Sequence, residues 1–220
     1  MELVFAWITN NYIEVFGAVT GILYVFLEIR QTIWLWPVGI VTSAVYIWVF
    51  FTSKFYADMS LQVYYLVISC LGWYWWMKGS TAQRQNGAGM EGKNRRKGNK
   101  EKEELPVSRI GLNLSILLLV VFLLLYGPMW FILSHFTDSP VPVWDSFITS
   151  LSIIATWMLA RKIYEHWYLW IIVNFVSSVL FIVKGLYPTV ILYIIYGIMS
   201  FAGLRAWHRS LNKKIMVTGT

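Results

Sequence analysis

The sequence predicts an all-α membrane protein with seven transmembrane helices set out as three, one and three. Composition, segment length and internal similarity each point that way. Of the 220 residues, 58% are hydrophobic and only 13% charged, against roughly 25% charged in soluble domains. Seven apolar segments approach the roughly 20 residues that cross a bilayer core. The first three segments resemble the last three, and one long polar stretch breaks the series.

In chain order the expected spans cover 13–27, 33–52, 59–77, 110–133, 144–160, 167–183 and 186–206. The first is short and ends in the polar "EIRQ". The second opens on "WLWP", where Pro37 is tolerated because a helix's first turn leaves its N–H groups unbonded anyway. The third ends in the aromatic cluster Trp73 to Trp76. The fourth, "ILLLVVFLLLYG", is the most uniformly apolar. The fifth starts after "TDSPVPV", the sixth after "RKIYEH" and the seventh after "KGLYP", short connections punctuated by proline and glycine. No secretory signal pattern is evident, since "LVFAWI" is too short for an h-region and Glu2 stands where a basic residue would be expected. The expected units are 1–77 (N-terminal segment and first three-helix bundle), 78–109 (basic linker), 110–133 (connecting helix), 144–207 (second three-helix bundle) and 208–220 (tail).

The linker is rich in glycine, lysine, arginine and glutamate, the composition of a solvated, disordered segment and not of a nucleic-acid-binding domain. Placing it in the cytoplasm sets the orientation. All of the 18 Lys and Arg residues except Lys54 and Lys184 then lie inside, as the positive-inside rule requires. The N-terminus is then outside and the C-terminus inside.

Catalysis has no support. His135, His166 and His208 are scattered among connections without zinc-ligand spacing, and no nucleophile elbow or phosphate loop is present. Cys70 is the single cysteine, so no disulfide framework forms. The sequence implies no enzyme, metal or cofactor.

The first and third blocks align as parallel repeats, a transporter plan with a site near the midplane. Trp36 falls over Trp170 and Ser43 over Ser177. After three skipped residues, Tyr56 falls over Tyr187, Gln62 over Tyr193, Tyr65 over Tyr196, Ser69 over Ser200, Gly72 over Gly203 and Trp76 over Trp207. Residues at i, i+3, i+7 and i+10 share a helix face. Gln62, Tyr65, Ser69 and Gly72 therefore form one stripe, and Tyr193, Tyr196, Ser200 and Gly203 a second. Asp145, Thr149, Ser152 and Thr156 form a third, and Trp170, Asn174 and Ser177 or Ser178 a fourth. Such stripes face protein or water, because lipid would leave their polar groups unbonded. Gln62 and Asn174 either bond between helices or face a shared cavity. Acidic residues outside the linker sit at span ends, where no ion relay is expected. A cationic solute would then be met by aromatic faces and amide oxygens in a cavity free of carboxylates. Trp34, Trp75, Trp76 and Trp207 read as interfacial belt residues.

"WLWPVGI", "YADMSLQVYYL", "GWYWW", "WDSFITSLSIIATWMLARKIYEHWYLWIIVN" and "KGLYPTVILYIIY" resemble the PnuC family of vitamin transporters. The resemblance spans all seven segments; the linker departs from it in length and charge. It implies a three-plus-one-plus-three architecture related to the SWEET sugar transporters, in the bacterial inner membrane. It also implies inward facilitated diffusion of nicotinamide riboside, with a cytosolic kinase trapping the product for NAD biosynthesis. Family members also carry thiamine or riboflavin, so the partner expected besides the lipid bilayer is a small cationic vitamin, nicotinamide riboside or thiamine. The ligand is expected among Gln62, Tyr65, Trp170 and Asn174, with Tyr193 and Tyr196 on the second stripe. A homo-oligomer is one alternative for the assembly. A membrane receptor or assembly subunit, using the stripes for packing alone, is the alternative from another class.

Overall fold

The computed structural model describes residues 12–52, 56–88, 106–137, 139–183 and 185–218. The N-terminal leader reading, Lys54, Asp138, Lys184 and most of the charged linker lie outside the described residues. Among the described residues seven helices follow in order: α1 (Tyr12–Ile29), α2 (Leu35–Thr52), α3 (Tyr56–Ala88), α4 (Leu112–Phe136), α5 (Pro142–Ala160), α6 (His166–Val183) and α7 (Tyr187–Thr218). Apolar segments without water to bond their backbone must bond it internally, and a helix does so within one segment. Among the described residues no β-sheet forms; a single bridge joins Ser108 to Ile163.

Helices α2, α4, α5, α6 and the stretch Tyr187–Asn212 of α7 are long and apolar enough to cross a membrane. The apolar part of α1, Val15–Ile29, is shorter. Helix α3 has the length, but Gln62 and its many tyrosines and tryptophans lower its hydropathy. Both α3 and α7 outrun their expected ends. The expectation of irregular chain from Lys78 is corrected as far as Ala88, and that of a tail from His208 as far as Thr218.

Six helices close a ring in the order α1, α2, α3, α5, α6, α7, with α7 packing back on α1. Helix α4 stands outside this ring, against α5, and buries none of its residues. Such a helix, apolar on every side, suits lipid contact.

The core is not at mid-height but at one end, the face where α1 turns into α2, α5 turns into α6 and the linker leaves α3. Leu35, Trp36, Trp76, Leu159, Trp167 and Trp207 are buried there in one cluster. The indoles are seated on glycines. A Cβ on Gly72 would meet the Trp36 ring, and one on Gly203 would meet the Trp167 ring. Trp36 stands edge-on to Trp76 at 5.4 Å and Trp167 edge-on to Trp207 at 5.9 Å, the favoured aromatic arrangement. Trp76 Nε1–H donates to Ala160 O at 3.2 Å and Trp207 Nε1–H to Glu28 O at 3.0 Å. Trp76 and Trp207 are therefore plug residues, not the belt residues that their place at span ends suggested. Trp34 is exposed, and the Trp75 ring carries the Arg161 guanidinium at 4.5 Å.

These contacts also correct the alignment. The partner of Trp36 in the second set of contacts is Trp167, not Trp170. The step from Trp36 to Trp167 is the same 131 positions that separate Gln62 from Tyr193, so the three skipped residues vanish. Helix bounds keep the same step, from Ile29 to Ala160 at the ends of α1 and α5, and from Tyr56 to Tyr187 at the starts of α3 and α7. The turns keep it as well. Gln31 and Lys162 adopt left-handed φ values of 56° and 52°, a conformation uncommon outside glycine.

The linker returns to this end. Val107 is buried in the cluster, Ser108 N–H donates to Lys162 O at 3.0 Å, and Tyr164 N–H donates to Ser108 O at 2.9 Å. Ile110 N–H donates to Glu165 Oε2 at 2.9 Å.

Gly203→Val puts branched carbon where the Trp167 ring lies. It should cost about 1–3 kcal/mol of stability, as overpacking of a filled core does, read as a lower midpoint in a tryptophan-fluorescence melt of detergent-solubilised protein.

Candidate functional site

Above the plug the ring encloses a cavity of about 940 Å³. Its wall reaches Leu186 and Pro188, both exposed at the end opposite the linker. The cavity is thus closed at the linker end by packed indoles and reaches the surface at the far end.

All six residues expected at a binding site line it: Gln62 and Tyr65 from α3, Trp170 and Asn174 from α6, Tyr193 and Tyr196 from α7. Helical spacing explains the convergence, since each pair sits three or four positions apart on one face. Ser69 and Ser200 continue the two stripes along the wall, and Ser152 and Thr156 add the α5 face. Asp145 is absent from this wall and instead accepts from Ser139 Oγ at 2.7 Å. Ser177 is buried, and Ser178 donates to the Asn174 backbone carbonyl at 2.8 Å.

Asn174 Nδ2 donates to Ser200 Oγ at 3.1 Å, and Ser200 Oγ donates to Tyr196 O at 2.8 Å. That chain fixes the amide and leaves its Oδ1 as an acceptor for a solute. Among the described residues, Trp167 Nε1, Trp170 Nε1 and Thr42 Oγ1 are buried without a hydrogen-bond partner, and all three residues line the cavity. Buried polar groups are normally paired; Trp36 Nε1 and Ser150 Oγ, which do not line the cavity, are unpaired as well. Tyr46 and Tyr196 lie close over α1, where a Cβ on Gly17 or Gly21 would meet their hydroxyls.

The expectation of a carboxylate-free cavity is corrected. Glu28 lines its floor, and among the described lining residues it is the charged one; no lysine, arginine or histidine joins it. Its side chain is 2% exposed, and its Oε1 lies 3.0 Å from Nε2 of His166, which is fully buried. His166 Nδ1 lies 2.6 Å from Ile163 O. His166 is thus no loop residue but the first residue of α6, set between Trp167 and Trp207. Spacing could not reveal this pair, whose members are 138 positions apart. Trp167 was legible in principle, because an unbroken step of 131 places it over Trp36.

Apolar helices around a polar, aromatic cavity sealed at one end define a small-molecule membrane transporter. The family model described as "Nicotinamide mononucleotide transporter" matches residues 11–209, and the chain belongs to that family, whose members are transporters and not enzymes. It is 27% identical over 221 residues to "Nicotinamide riboside transporter PnuC" of Escherichia coli (strain K12), covering 93% of this chain and 88% of the relative. It is 26% identical over 223 residues to the protein of that name from Neisseria mucosa, covering 96% and 77%. It is 22% identical over 194 residues to "Riboflavin/roseoflavin transporter RibM" of Streptomyces davaonensis, covering 88% and 83%. The fold matches "Crystal structure of the Vitamin B3 transporter PnuC" with a TM-score of 0.69 at 22% identity, over 96% of this chain and 87% of that one. The chain is accordingly a multi-pass protein of the bacterial inner membrane, embedded in lipid and handling a small vitamin-like solute.

His166→Ala leaves Glu28 buried without its partner. Removing one member of a buried pair costs about 3–5 kcal/mol, so the variant should unfold well below the parent protein in a thermal-stability assay in detergent.

Proposed function

We propose that this transporter carries nicotinamide riboside inward, down its gradient, through the cavity between the helices. The observation that carries the reading is the charge of the wall. The family description says mononucleotide, while three relatives are named as riboside transporters. A phosphate entering this cavity would shed its water and find no cation among the described lining residues, at a cost of many kcal/mol. A riboside offers instead a positive pyridinium ring, which suits the aromatic faces of Tyr65, Trp170, Tyr193 and Tyr196. Its carboxamide suits the amides of Gln62 and Asn174, and its hydroxyls the unpaired donors of Trp167 and Trp170. Phosphorylation by a cytosolic kinase would then make a product that the same wall refuses.

The uniform step of 131 supports two parallel three-helix repeats, α1–α3 and α5–α7, with α4 as the connector. The units proposed are 1–77, 110–133 and 144–207, with the 78–109 linker and the 208–220 tail, into which α3 and α7 run on as far as Ala88 and Thr218. The basic linker end is cytoplasmic, with the N-terminus outside and the C-terminus inside. The cavity as described would then receive solute from outside.

Thiamine is also a cationic heteroaromatic and satisfies the same charge argument; competition against nicotinamide riboside separates the two. A receptor or assembly subunit would show no saturable uptake in proteoliposomes.

Asn174→Ala and Gln62→Ala should each weaken nicotinamide riboside binding about tenfold, the worth of one hydrogen bond to a buried group, while the protein still inserts and elutes as the parent does. Nicotinamide mononucleotide in about hundredfold excess should fail to compete in the same calorimetric titration, as a phosphate without a counter-charge must. Binding that both variants leave intact would make the amides structural.

A further inference from the structure

Glu28 and His166 are buried ionisable groups beyond the aromatic and amide contacts just assigned, and the fold supplies its own control for them. Positions 131 apart make matched contacts, and those matched to Glu28 and His166 are Leu159 and Leu35. Both leucines are fully buried in the plug cluster. One corner of the plug is therefore sealed by two leucines and the other by an ion pair. Packing requires no charge at this place, because a buried ion pair is no more stabilising than well-packed apolar residues of similar volume. Ionisable groups retained inside a membrane bundle mark functional positions.

The geometry sets the proton count. Ile163 O can only accept, so His166 Nδ1 carries a proton across the 2.6 Å contact. One more proton lies between Nε2 and Glu28 Oε1, 3.0 Å apart, since two facing lone pairs would repel. The pair is then net neutral, whether that proton sits on imidazole or carboxyl. The cavity reaches Glu28 but not the imidazole behind it. The phenol of Tyr24 on α1 lies beside Glu28, and those of Tyr64 and Tyr65 on α3 lie beside Tyr24; phenols ordinarily keep their protons to about pH 10. Lys162 in the α5–α6 turn lies over the Trp76 ring at 4.0 Å. Leu35 of α2 and Trp207 of α7 bring no charge.

We propose that Glu28 is the counter-charge for a cationic substrate, and that the pair gives up its shared proton when that substrate binds. The inference rests on the reading of the solute as a cation. Release leaves a carboxylate toward the cavity and a neutral imidazole still bonded through Nδ1–H to Ile163 O. The positive ring takes over the charge that the proton had supplied, and the proton leaves into the cavity, which the plug closes on its other side.

The test is calorimetric titration of the purified protein in two buffers of different ionisation enthalpy, at about pH 7, with nicotinamide riboside and with its uncharged dihydropyridine form. The cation should release between about half and one proton per molecule bound, and the neutral form none, by proton linkage. Glu28→Leu/His166→Leu, which copies the leucine corner, should lose about tenfold in affinity for the cation and all proton release, while its affinity for the neutral form stays as in the parent. Saturable binding of the cation by the parent protein without proton release would falsify the proposal, whether or not the double variant folds. Equal affinity of parent and double variant for the cation would overturn it too. If the parent binds neither compound, the assignment of the solute falls instead.

Discussion

A polar cavity inside a membrane protein is a hole through the bilayer unless one end is sealed, and here the seal is an indole laid on a glycine, made twice. Trp36 occupies the space a side chain on Gly72 would need, and Trp167 does the same at Gly203. Two wide, flat groups thus bring α2 against α3 and α6 against α7 at one level. The neighbouring indoles Trp76 and Trp207 then reach across to Ala160 O and Glu28 O, tying α3 to α5 and α7 to α1. Those two crossings close the ring of six helices, so the cavity owes its shape to four tryptophans at its floor.

Charge is admitted to the seal under strict terms. Lys162 is almost fully buried in the α5–α6 turn, yet its ammonium rests on the Trp76 face, where the ring quadrupole compensates lost hydration. Glu165 spends an oxygen on Ile110 N–H, which fixes where the linker ends and α4 begins. Helix α4, outside the ring, is located by that bond and the Ser108 pairing as much as by its packing on α5. The linker is thus not only a tether: its last residues are part of the seal.

Most of the helical layout was legible because the bilayer imposes it. Length, hydropathy and the i, i+3, i+7 stripes located the helices and brought Gln62, Tyr65, Trp170, Asn174, Tyr193 and Tyr196 to one wall. What stayed hidden depends on which helix ends meet. Trp76 and Trp207 stand where belt residues stand, and only the turns at Gln31 and Lys162, folding the chain over them, bury them. Glu28 and His166 sit at helix termini, where charged side chains usually find water, and nothing local tells that two distant termini converge. The misplaced register of Trp36 had a simpler cause. A Trp-rich segment offers two plausible partners three residues apart, Trp167 and Trp170, and composition favoured the wrong one, whereas contact with glycine distinguishes them.

With the register corrected, the differences between matched positions become chemically ordered. Ser43 corresponds to Asn174, Gln62 to Tyr193, Gly39 to Trp170 and Glu28 to Leu159, while Tyr65 corresponds to Tyr196 and Ser69 to Ser200. Matched and divergent chemistry both lie on the cavity wall: Tyr65, Tyr196, Ser69 and Ser200 line it, as Gln62, Tyr193, Ser43, Asn174, Gly39 and Trp170 do. At Gly39 a Cβ would crowd Ser69 and the Tyr24 ring, while the matched position supplies an indole with an unpaired N–H. One half thus contributes a broad aromatic face and an amide held by Ser200, the other an amide and a carboxylate. A solute with one flat charged ring and one hydroxyl-bearing end can satisfy both halves at once in a single orientation. A symmetric solute would leave one set of polar groups unpaired, and each buried group left so costs about 1–3 kcal/mol.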